Sequence, residues 1–503
     1  MQSLPLVGVV VISGLDLRNC QLRRATPCLV ALTNDKINLP HLEKGRQVMT
    51  QSLNPDDRHL GLMTDLYELT MAAGYHVCGM ADERVTFELW VRQLPACRNY
   101  LVAAGLEQAI HYLQHLSFSP EQIAYLRGHP AFQRIPNDWF ERLASFRFAC
   151  DVWAIPEGTV VFAGEPLLRV SGPFMQAQIV ETYLITTLTA QTMIASKAAR
   201  MVTAAQGRSV FDFGSRRAHG PQAGLLAARA AYLAGCAGTS NTEAGRLLGI
   251  PTFGTQAHSW IMAFPNEQEA FRKFGRIFPD NSTLLIDTYD TLQGVRNAVA
   301  SGAAMQAVRL DSGDLEKLSK EVRALLDNCG RQAVKIVASG DLNEYKIRDL
   351  LAAGAPIDLF GVGTELAVSR DEPTLNVVYK LVEQETPEGT FGRFKLSPNK
   401  EHYPYPKQVY RRLDARGTFG GDRIVQANSK QDACPPEEEG EPLLAPILHR
   451  GEQMGKLPSL EESRRRCAEQ LRRLPPELLD LKPCPPYPVQ VSEELEAALR
   501  RHG

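Results

Sequence analysis

AVRLDSGD (307–314) is the stretch on which the fold turns. A short apolar run carrying one arginine closes on Asp, Ser, Gly and Asp, and the helix-like LEKLSKEVRALLDN follows at once. That order reads as a buried strand that delivers polar residues at its C-terminal end and then turns into a helix. The design recurs on both sides, in SVFDFGSR (209–216), GIPTFGTQAH (249–258), TLLIDTYD (283–290), KIVASGDL (335–342) and DLFGVGTE (358–365). Between these runs lie PQAGLLAARAAYLAG, NEQEAFRKFGRIF, LQGVRNAVASG and NEYKIRDLLAAG, all with helical periodicity. Strands alternating with helices predict a parallel sheet. Six consecutive units favour an α/β barrel, whose sites lie at the strand C-terminal ends. The polar clusters all fall there, so one shared pocket is expected, although βα loops are polar in any case.

Outside this block the signals are mixed. ERVTFELWVRQL (83–94) alternates like a strand, LVAAGLEQAIHYLQHL (101–116) is helical in period, and TVVFAGEPLLRVSGP (159–173) reads as two strands about a Gly-Glu-Pro turn. Residues 176–206 are nearly apolar, but Glu181, Gln191 and Lys197 interrupt them, which favours a buried helix over a membrane span. Towards the C-terminus VYKLVE and RFKLSPNK read as strands and EEEGEP (437–442) as a solvated acidic linker. PSLEESRRRCAEQLRRL (458–474) reads as an amphipathic helix with a Ser-x-x-Glu start and its arginines on a solvated face.

Composition narrows the function classes. The chain has 503 residues, 44 % apolar and 22 % charged, the mix of a soluble globular enzyme. A net charge of −2 provides no basic field for nucleic acid. The ten cysteines form no CxxC pair, which fits a reducing cytoplasm better than a disulfide framework. The N-terminal LPLVGVVVISGL is too short to span a bilayer and lacks a basic segment before it. Residues 1–60 are an extension, or upstream sequence ahead of a start at Met49, where MTQSLNP would make a natural beginning.

The loops suggest anion chemistry. FGVGTE and ASGD pair glycine with small hydroxyl residues, so backbone N–H groups can approach a phosphate. Arg216, Arg217 and Arg309 add permanent positive charge, and Asp287, Asp311, Asp314 and Asp341 supply carboxylates for Mg²⁺ or ribose hydroxyls. The combination suits a phosphorylated sugar held with a metal. No lysine closes any of the six strands, which weighs against a Schiff-base aldolase. His258, in GTQAHSW (254–260), is either a satisfied core histidine or a working one.

Six ordered segments then carry a resemblance: TDLYELTM (64–71), SRRAHGP (215–221), GTSN (238–241), GTQAHSW, RLDSGDL (309–315) and GVGT (361–364). From about residue 62 onward the chain resembles nicotinate phosphoribosyltransferase, within the wider nicotinate/nicotinamide phosphoribosyltransferase family. The resemblance implies condensation of nicotinate with phosphoribosyl pyrophosphate, coupled to ATP hydrolysis and dependent on Mg²⁺, in a cytoplasmic homodimer. The direct Mg²⁺ ligands stay open. The expected organisation is an extension over 1–60, an α+β domain over 61–206, an irregular α/β barrel over 207–366, and a segment over 367–503 that partly returns to the accessory domain.

Roles follow by resemblance. Tyr67 resembles the tyrosine that stacks on the pyridine ring from the neighbouring subunit, and Phe213 the opposing aromatic wall, with a core role as its alternative. Thr255 and Arg309 resemble nicotinate-carboxylate contacts, and Ser240 stands where the nicotinamide-specific cousin has an acidic residue. Arg216 resembles a contact for the 5-phosphate or pyrophosphate. Asp311 and Asp341 would face ribose hydroxyls, and Gly340, Gly361, Gly363 and Thr364 would cradle phosphate. His258 would be the histidine phosphorylated by ATP, with Asp287 as its orienting partner or, alternatively, a helix cap. Other readings are a nicotinamide-specific transferase, a sugar-phosphate aldolase or isomerase, and a non-catalytic nucleotide sensor.

Overall fold

The computed structural model describes residues 59–395, 402–427 and 440–501. The N-terminal extension, Met49, the end of RFKLSPNK and the start of EEEGEP lie outside the described residues. The chain is a mixed α/β protein.

A six-stranded sheet holds the strands in the order Gly238–Thr239, Ser209–Asp212, Leu359–Val362, Lys335–Ala338, Ala307–Leu310 and Thr283–Leu285. Every neighbouring pair is parallel. Five of the six expected strands are present, each short and apolar because helices cover it. The sixth differs. GIPTFGTQAH forms only an isolated bridge from Thr252 to Thr239, because Pro251 offers no N–H and the chain then turns away. The edge position belongs to Gly238–Thr239, a strand too short to announce itself by pattern. The stretch 251–256 nevertheless touches both edges of the sheet. Thr239 N donates to the Pro251 carbonyl at 3.0 Å, and Leu285 N donates to Gln256 Oε1 at 3.2 Å.

The expected helices follow as Pro221–Leu233, Glu267–Ile277, Thr291–Ala300, Leu315–Asn328 and Glu344–Ala352. Asn266, Asp290, Asp314 and Asn343 cap four of them by accepting backbone N–H groups. Asp314 is therefore a helix cap and not a pocket carboxylate, whereas Asp287 caps nothing. Val308, Leu310, Ile336, Ala338, Phe360 and Val362 meet Phe271, Val295, Val322 and Ile347 in a continuous core.

A second, antiparallel sheet has seven strands in the order Gly389–Gly392, Val377–Thr386, Arg84–Val91, Pro166–Pro173, Asp151–Ala154, Ala445–His449 and Glu452–Gln453. It mixes segments that precede and follow the parallel sheet in the chain. Arg84–Val91 is buried on both faces beyond its first residue, so its polar alternates are paired inside. Thr86 meets Ser171 at 2.9 Å, and Glu88 meets Lys407 at 2.8 Å. A four-stranded sheet comprises Glu441–Pro442, Lys407–Leu413, Phe419–Gln426 and Val489–Val491. Glu441 and Pro442 thus pair in a sheet, where a solvated linker was expected. The Ser-x-x-Glu start is a capping box, Ser459 with Glu462, on the helix Leu460–Arg473. Not all its arginines face water: Arg464 Nη1 donates to the Cys236 carbonyl at 2.7 Å.

The helix Glu181–Ala204 has 24 residues, about 36 Å of length at 1.5 Å per residue. Its first half packs Leu184 and Leu188 into the core under the antiparallel sheet. Its second half packs Ala195, Ala198 and Met201 into the core of the parallel sheet. Among the described residues no helix is long and apolar enough to cross a membrane.

Candidate active site

The site grows from Arg309, placed by the strand Ala307–Leu310 at the C-terminal edge of the parallel sheet. Its Nε donates to Ser339 Oγ at 2.8 Å. Its Nη1 donates to Thr255 Oγ1 at 2.7 Å and to the Gln256 carbonyl at 3.2 Å. Its Nη2 donates to the Asp311 carboxylate. A guanidinium has five N–H groups, so with four used one Nη2–H remains. Its Cζ stands 5.9 Å from the centre of the Phe213 ring. Arg309, Thr255, Phe213 and Asp311, which come from three separate motifs, are thereby brought together.

Asp311 has one oxygen in that network and one beyond it. Its Oδ1 accepts from Ser339 Oγ at 2.6 Å, while Oδ2 lies 4.0 Å from His258 Nε2. Burial pushes this carboxyl up, but the Ser339 hydroxyl and the Arg309 charge outweigh it and hold it below the usual aspartate value. His258 opens the short helix His258–Met262 with its side chain 40 % exposed, so it is not a core histidine. Its Nδ1 lies 3.1 Å from Thr288 Oγ1.

Thr288 therefore occupies the orienting position expected for Asp287. The Asp287 carboxylate turns instead to the Asp311 loop, with Oδ2 accepting from Asp311 N at 2.8 Å and from Ser312 Oγ at 3.0 Å. Its Oδ1 is buried without a hydrogen-bond partner. Burial accompanies the exchange: two residues past the strand Thr283–Leu285, Asp287 is still buried, whereas Thr288 is half-buried.

The glycines have distinct duties. Gly340 has φ +88°, and a Cβ there would run into the Asp311 carbonyl, so this loop closes against its neighbour only as glycine. A Cβ on Gly361 would strike the Phe213 ring, so Gly361 makes room for the aromatic wall. Gly363 precedes the turn Thr364–Ala367, and a Cβ there would meet only the Phe213 carbonyl, at an ordinary 3.8 Å. Asp341 is exposed with φ +45°. Arg216 is exposed on the turn Ser215–Arg217, with no side-chain partner among the described residues. Ser240 N donates to the Asp212 carbonyl at 2.8 Å, and its side chain is part-exposed beside that strand end.

Tyr67 stands apart. It is 45 % exposed on the helix Leu66–Val77, in an apolar strip with Met63, Leu66 and Met71. Burial, and then the Glu181 and Glu68 carboxylates, raise its phenol. It joins none of the Arg309 contacts.

Three further residues belong to the site although the sequence does not single them out. Ser339 bridges Arg309 and Asp311, and Thr288 fixes the His258 ring. Asp212 is fully buried and holds two loops, accepting from Gly214 N at 2.8 Å and Thr239 Oγ1 at 2.7 Å. Burial raises its carboxyl against those two bonds. Ser339 and Asp212 sat inside quoted strand ends, so their position was a signal; their partners are set only by the sheet order.

Parallel strand ends that gather an arginine, carboxylates and an aromatic wall define an α/β enzyme with an anion-binding small-molecule site. Three stretches match the nicotinate phosphoribosyltransferase (NAPRTase) family: residues 62–189 its N-terminal domain, residues 209–387 the NAPRTase family proper, and residues 426–499 its C-terminal domain. Nicotinate phosphoribosyltransferase pncB2 of Mycobacterium tuberculosis is 45 % identical over 453 residues, covering 88 % of this chain and 94 % of that one. The Bacillus subtilis nicotinate phosphoribosyltransferase is 40 % identical over 364 residues, 71 % of this chain and 74 % of that one. The crystal structure of human nicotinic acid phosphoribosyltransferase superimposes with TM-score 0.76 at 28 % identity, over 87 % of this chain and 99 % of that chain. The chain belongs to the nicotinate phosphoribosyltransferase family.

Proposed function

We infer that this enzyme transfers the phosphoribosyl group of phosphoribosyl pyrophosphate to nicotinate, a step in NAD synthesis. The observation that carries the reading is the convergence of Arg309, Thr255 and Phe213. A pyridine carboxylate needs a cation, a hydroxyl and a ring face, and one Arg309 N–H is left for it. Ser240 is neutral and can donate, whereas an acidic residue there would repel nicotinate. The pyridine nitrogen is already a nucleophile, so no general base is required. Loss of diphosphate builds positive charge on the ribose, which the outer Asp311 oxygen is placed to stabilise. Gly340, Asp341, Gly361, Gly363 and Thr364 receive the sugar phosphate, and Arg216 has a free guanidinium for phosphate or pyrophosphate.

Mg²⁺ bound through substrate phosphates needs only one or two protein carboxylates. Among the described residues no group of three His, Cys, Asp or Glu could hold a metal by itself. Asp287, with its unpartnered buried oxygen, and Asp311 fit the smaller requirement. Bound there, the ion would neutralise charge on the leaving diphosphate. ATP enters through His258. With Nδ1–H donated to Thr288, Nε2 keeps its lone pair, attacks the terminal phosphorus and releases ADP; water later cleaves the phosphohistidine.

The six parallel strands form an irregular barrel, a reading supported by the stretch 251–256 that touches both edge strands. The barrel spans 207–366, and residues 61–206 with part of 367–503 build the accessory domain around the shared antiparallel sheet. Two subunits make the site complete. Tyr67 lies by Glu181, and sixteen residues of helix, about 24 Å, separate Glu181 from Lys197 behind the phosphate loops. Its exposed apolar strip suits a second copy of this chain. A reducing cytoplasm is the proposed location, supported by free thiols at the described cysteines.

The test is incubation with phosphoribosyl pyrophosphate and Mg²⁺ plus nicotinate or nicotinamide, with and without ATP. Nicotinate mononucleotide should form, and ATP should raise its yield at equilibrium. Preference for nicotinamide would overturn the assignment.

A further inference from the structure

Behind the two proposed phosphate loops lies a charge cluster that binds no exposed ligand. Lys197 Nζ is 2.8 Å from Glu344 Oε2, 2.8 Å from Asp371 Oδ1 and 3.5 Å from Glu365 Oε2. Arg200 Nε donates to Glu344 Oε1 at 3.0 Å. Arg98 donates to both Asp371 oxygens, at 2.6 and 3.0 Å. Lys197 and Glu344 are fully buried, as is the Arg98 side chain. Three buried cations meet three carboxylates, and the exposed Arg370 adds a fourth cation 3.7 Å from Glu365.

Its wiring is directional. The cations come from the long helix Glu181–Ala204 and from the loop after strand Arg84–Val91. Two carboxylates sit at the starts of the elements that follow the loops: Glu344 is the first residue of its helix, three residues after Asp341, and Glu365 comes directly after Thr364. Asp371 ties Lys197 to Arg98 and closes the circuit. Burial raises the Asp371 carboxyl, yet the Arg98 and Lys197 bonds bring it well below the usual range, as expected for a carboxylate held ionised. A buried cluster of this kind is a poor source of stability but a rigid spacer, since breaking one partner strands the others.

We propose that Lys197, Arg98 and Asp371 are positioning residues for the phosphoribosyl substrate: through Glu344 and Glu365 they fix the loops Ser339–Asp341 and Gly361–Thr364 relative to each other. The proposal rests on the reading of those loops as the phosphate cradle. Misplacing the two loops weakens a phosphate held directly by their backbone N–H groups and the Thr364 hydroxyl, while nicotinate, held by Arg309 and Thr255, feels the shift only indirectly, through Ser339 and Phe213, and loses less.

The experiment compares the KM for phosphoribosyl pyrophosphate with the KM for nicotinate in full-length Lys197→Met and Asp371→Asn. The two substitutions change the buried charge in opposite directions. Positioning predicts that both raise the KM for phosphoribosyl pyrophosphate, on the order of tenfold for a small displacement, with a clearly smaller rise for nicotinate, about threefold or less. Lys197→Arg should recover most of the loss. Arg411→Met, which breaks an equally buried cluster in the four-stranded sheet, should lower the melting temperature and leave both KM values alone. Shifts of opposite sign in Lys197→Met and Asp371→Asn would reveal a through-space field and overturn positioning, as would equal loss for nicotinate or no change. If Lys197→Met fails to fold, Asp371→Asn, whose side chain is partly exposed, decides alone. Thr364→Ala separates the two ideas: an unchanged KM there refutes the cradle itself, whereas a raised KM beside unaffected Asp371→Asn refutes only the positioning role.

Discussion

Arg309 and Arg411 are the same residue in two sheets, and they end differently. Arg411, in the four-stranded sheet, is 1 % exposed. It donates to Asp422, to the Val160 carbonyl at 2.7 Å and to Gln470 Oε1 at 3.0 Å, and it faces Glu165 at 3.8 Å. Tyr487 closes the remaining Asp422 lone pair at 2.9 Å. Phe419 lies beneath the guanidinium at 4.5 Å. Arg309 also has a carboxylate partner and a phenylalanine, but its Asp311 keeps one oxygen turned to His258 and its own Nη2 keeps one N–H. A buried arginine whose last N–H faces a second buried carboxylate holds a fold together. One left incomplete at the C-terminal end of a parallel strand keeps an N–H for a ligand, the role proposed for Arg309.

The sharpest way to break this comparison is to delete both arginines. Arg309→Met should reduce nicotinate turnover by at least roughly 100-fold, since removing one member of a buried pair costs about 3–5 kcal/mol. Arg411→Met should lose a similar amount from stability instead, with kcat of the folded protein within about twofold. Turnover assays beside denaturant melts decide it, and equal loss of turnover in both would erase the distinction.

Subunit exchange sharpens it further. Tyr67→Ala and His258→Ala, each impaired alone, should regain part of the ATP-stimulated activity when mixed, because one hybrid pocket has both residues. No recovery under demonstrated exchange would place Tyr67 in its own subunit's site.

Substrate choice is a smaller effect. Ser240→Asp should cost on the order of 1–3 kcal/mol in preference for nicotinate over nicotinamide, read from the ratio of kcat/KM values. An unchanged ratio would remove Ser240 from the specificity pocket.

The smallest effect lies at the Tyr67 end. Burial raises the Glu68 carboxyl from about 4.5 to about 7, against bonds from Thr182 and Thr64. The folded state binds the proton more tightly, so this stability is complete below pH 4.5 and is lost as pH rises through 7. Glu68→Gln, neutral throughout, should flatten the fall in melting temperature between pH 5 and 8. A parallel slope in both proteins would mean that Glu68 stays ionised.

The parallel sheet was legible because its strands are short apolar runs punctuated by polar ends, a pattern imposed by burial on both faces. Arg309, Asp311 and His258 could be named from the chain for that reason, whereas Phe213 and Thr255 were named only through the family resemblance. Ser339 and Thr288 could not, because a hydroxyl's role depends on which strand lies next to it, and order in the sheet is not order in sequence. Gly238–Thr239 was invisible at two residues, and the apolar GIPTF looked like a strand although Pro251 leaves it only an isolated bridge. In the antiparallel sheet, ERVTFELWV alternates like a strand, but alternation alone does not say which faces are covered. Both faces are covered, and Glu88 reaches a lysine more than three hundred residues away, which no local pattern could reveal.

The central claim is that the open charges at the strand ends do chemistry, and His258 is where it can be caught directly. The enzyme and its His258→Ala variant are incubated with ATP labelled on its terminal phosphate, and both are melted. The account predicts acid-labile label on the native protein, none on the variant, and nearly equal melting temperatures, because the half-exposed His258 ring has one hydrogen bond, to Thr288, among the described residues. Undiminished label on His258→Ala, or a variant that melts much earlier while its ATP response survives, would contradict it.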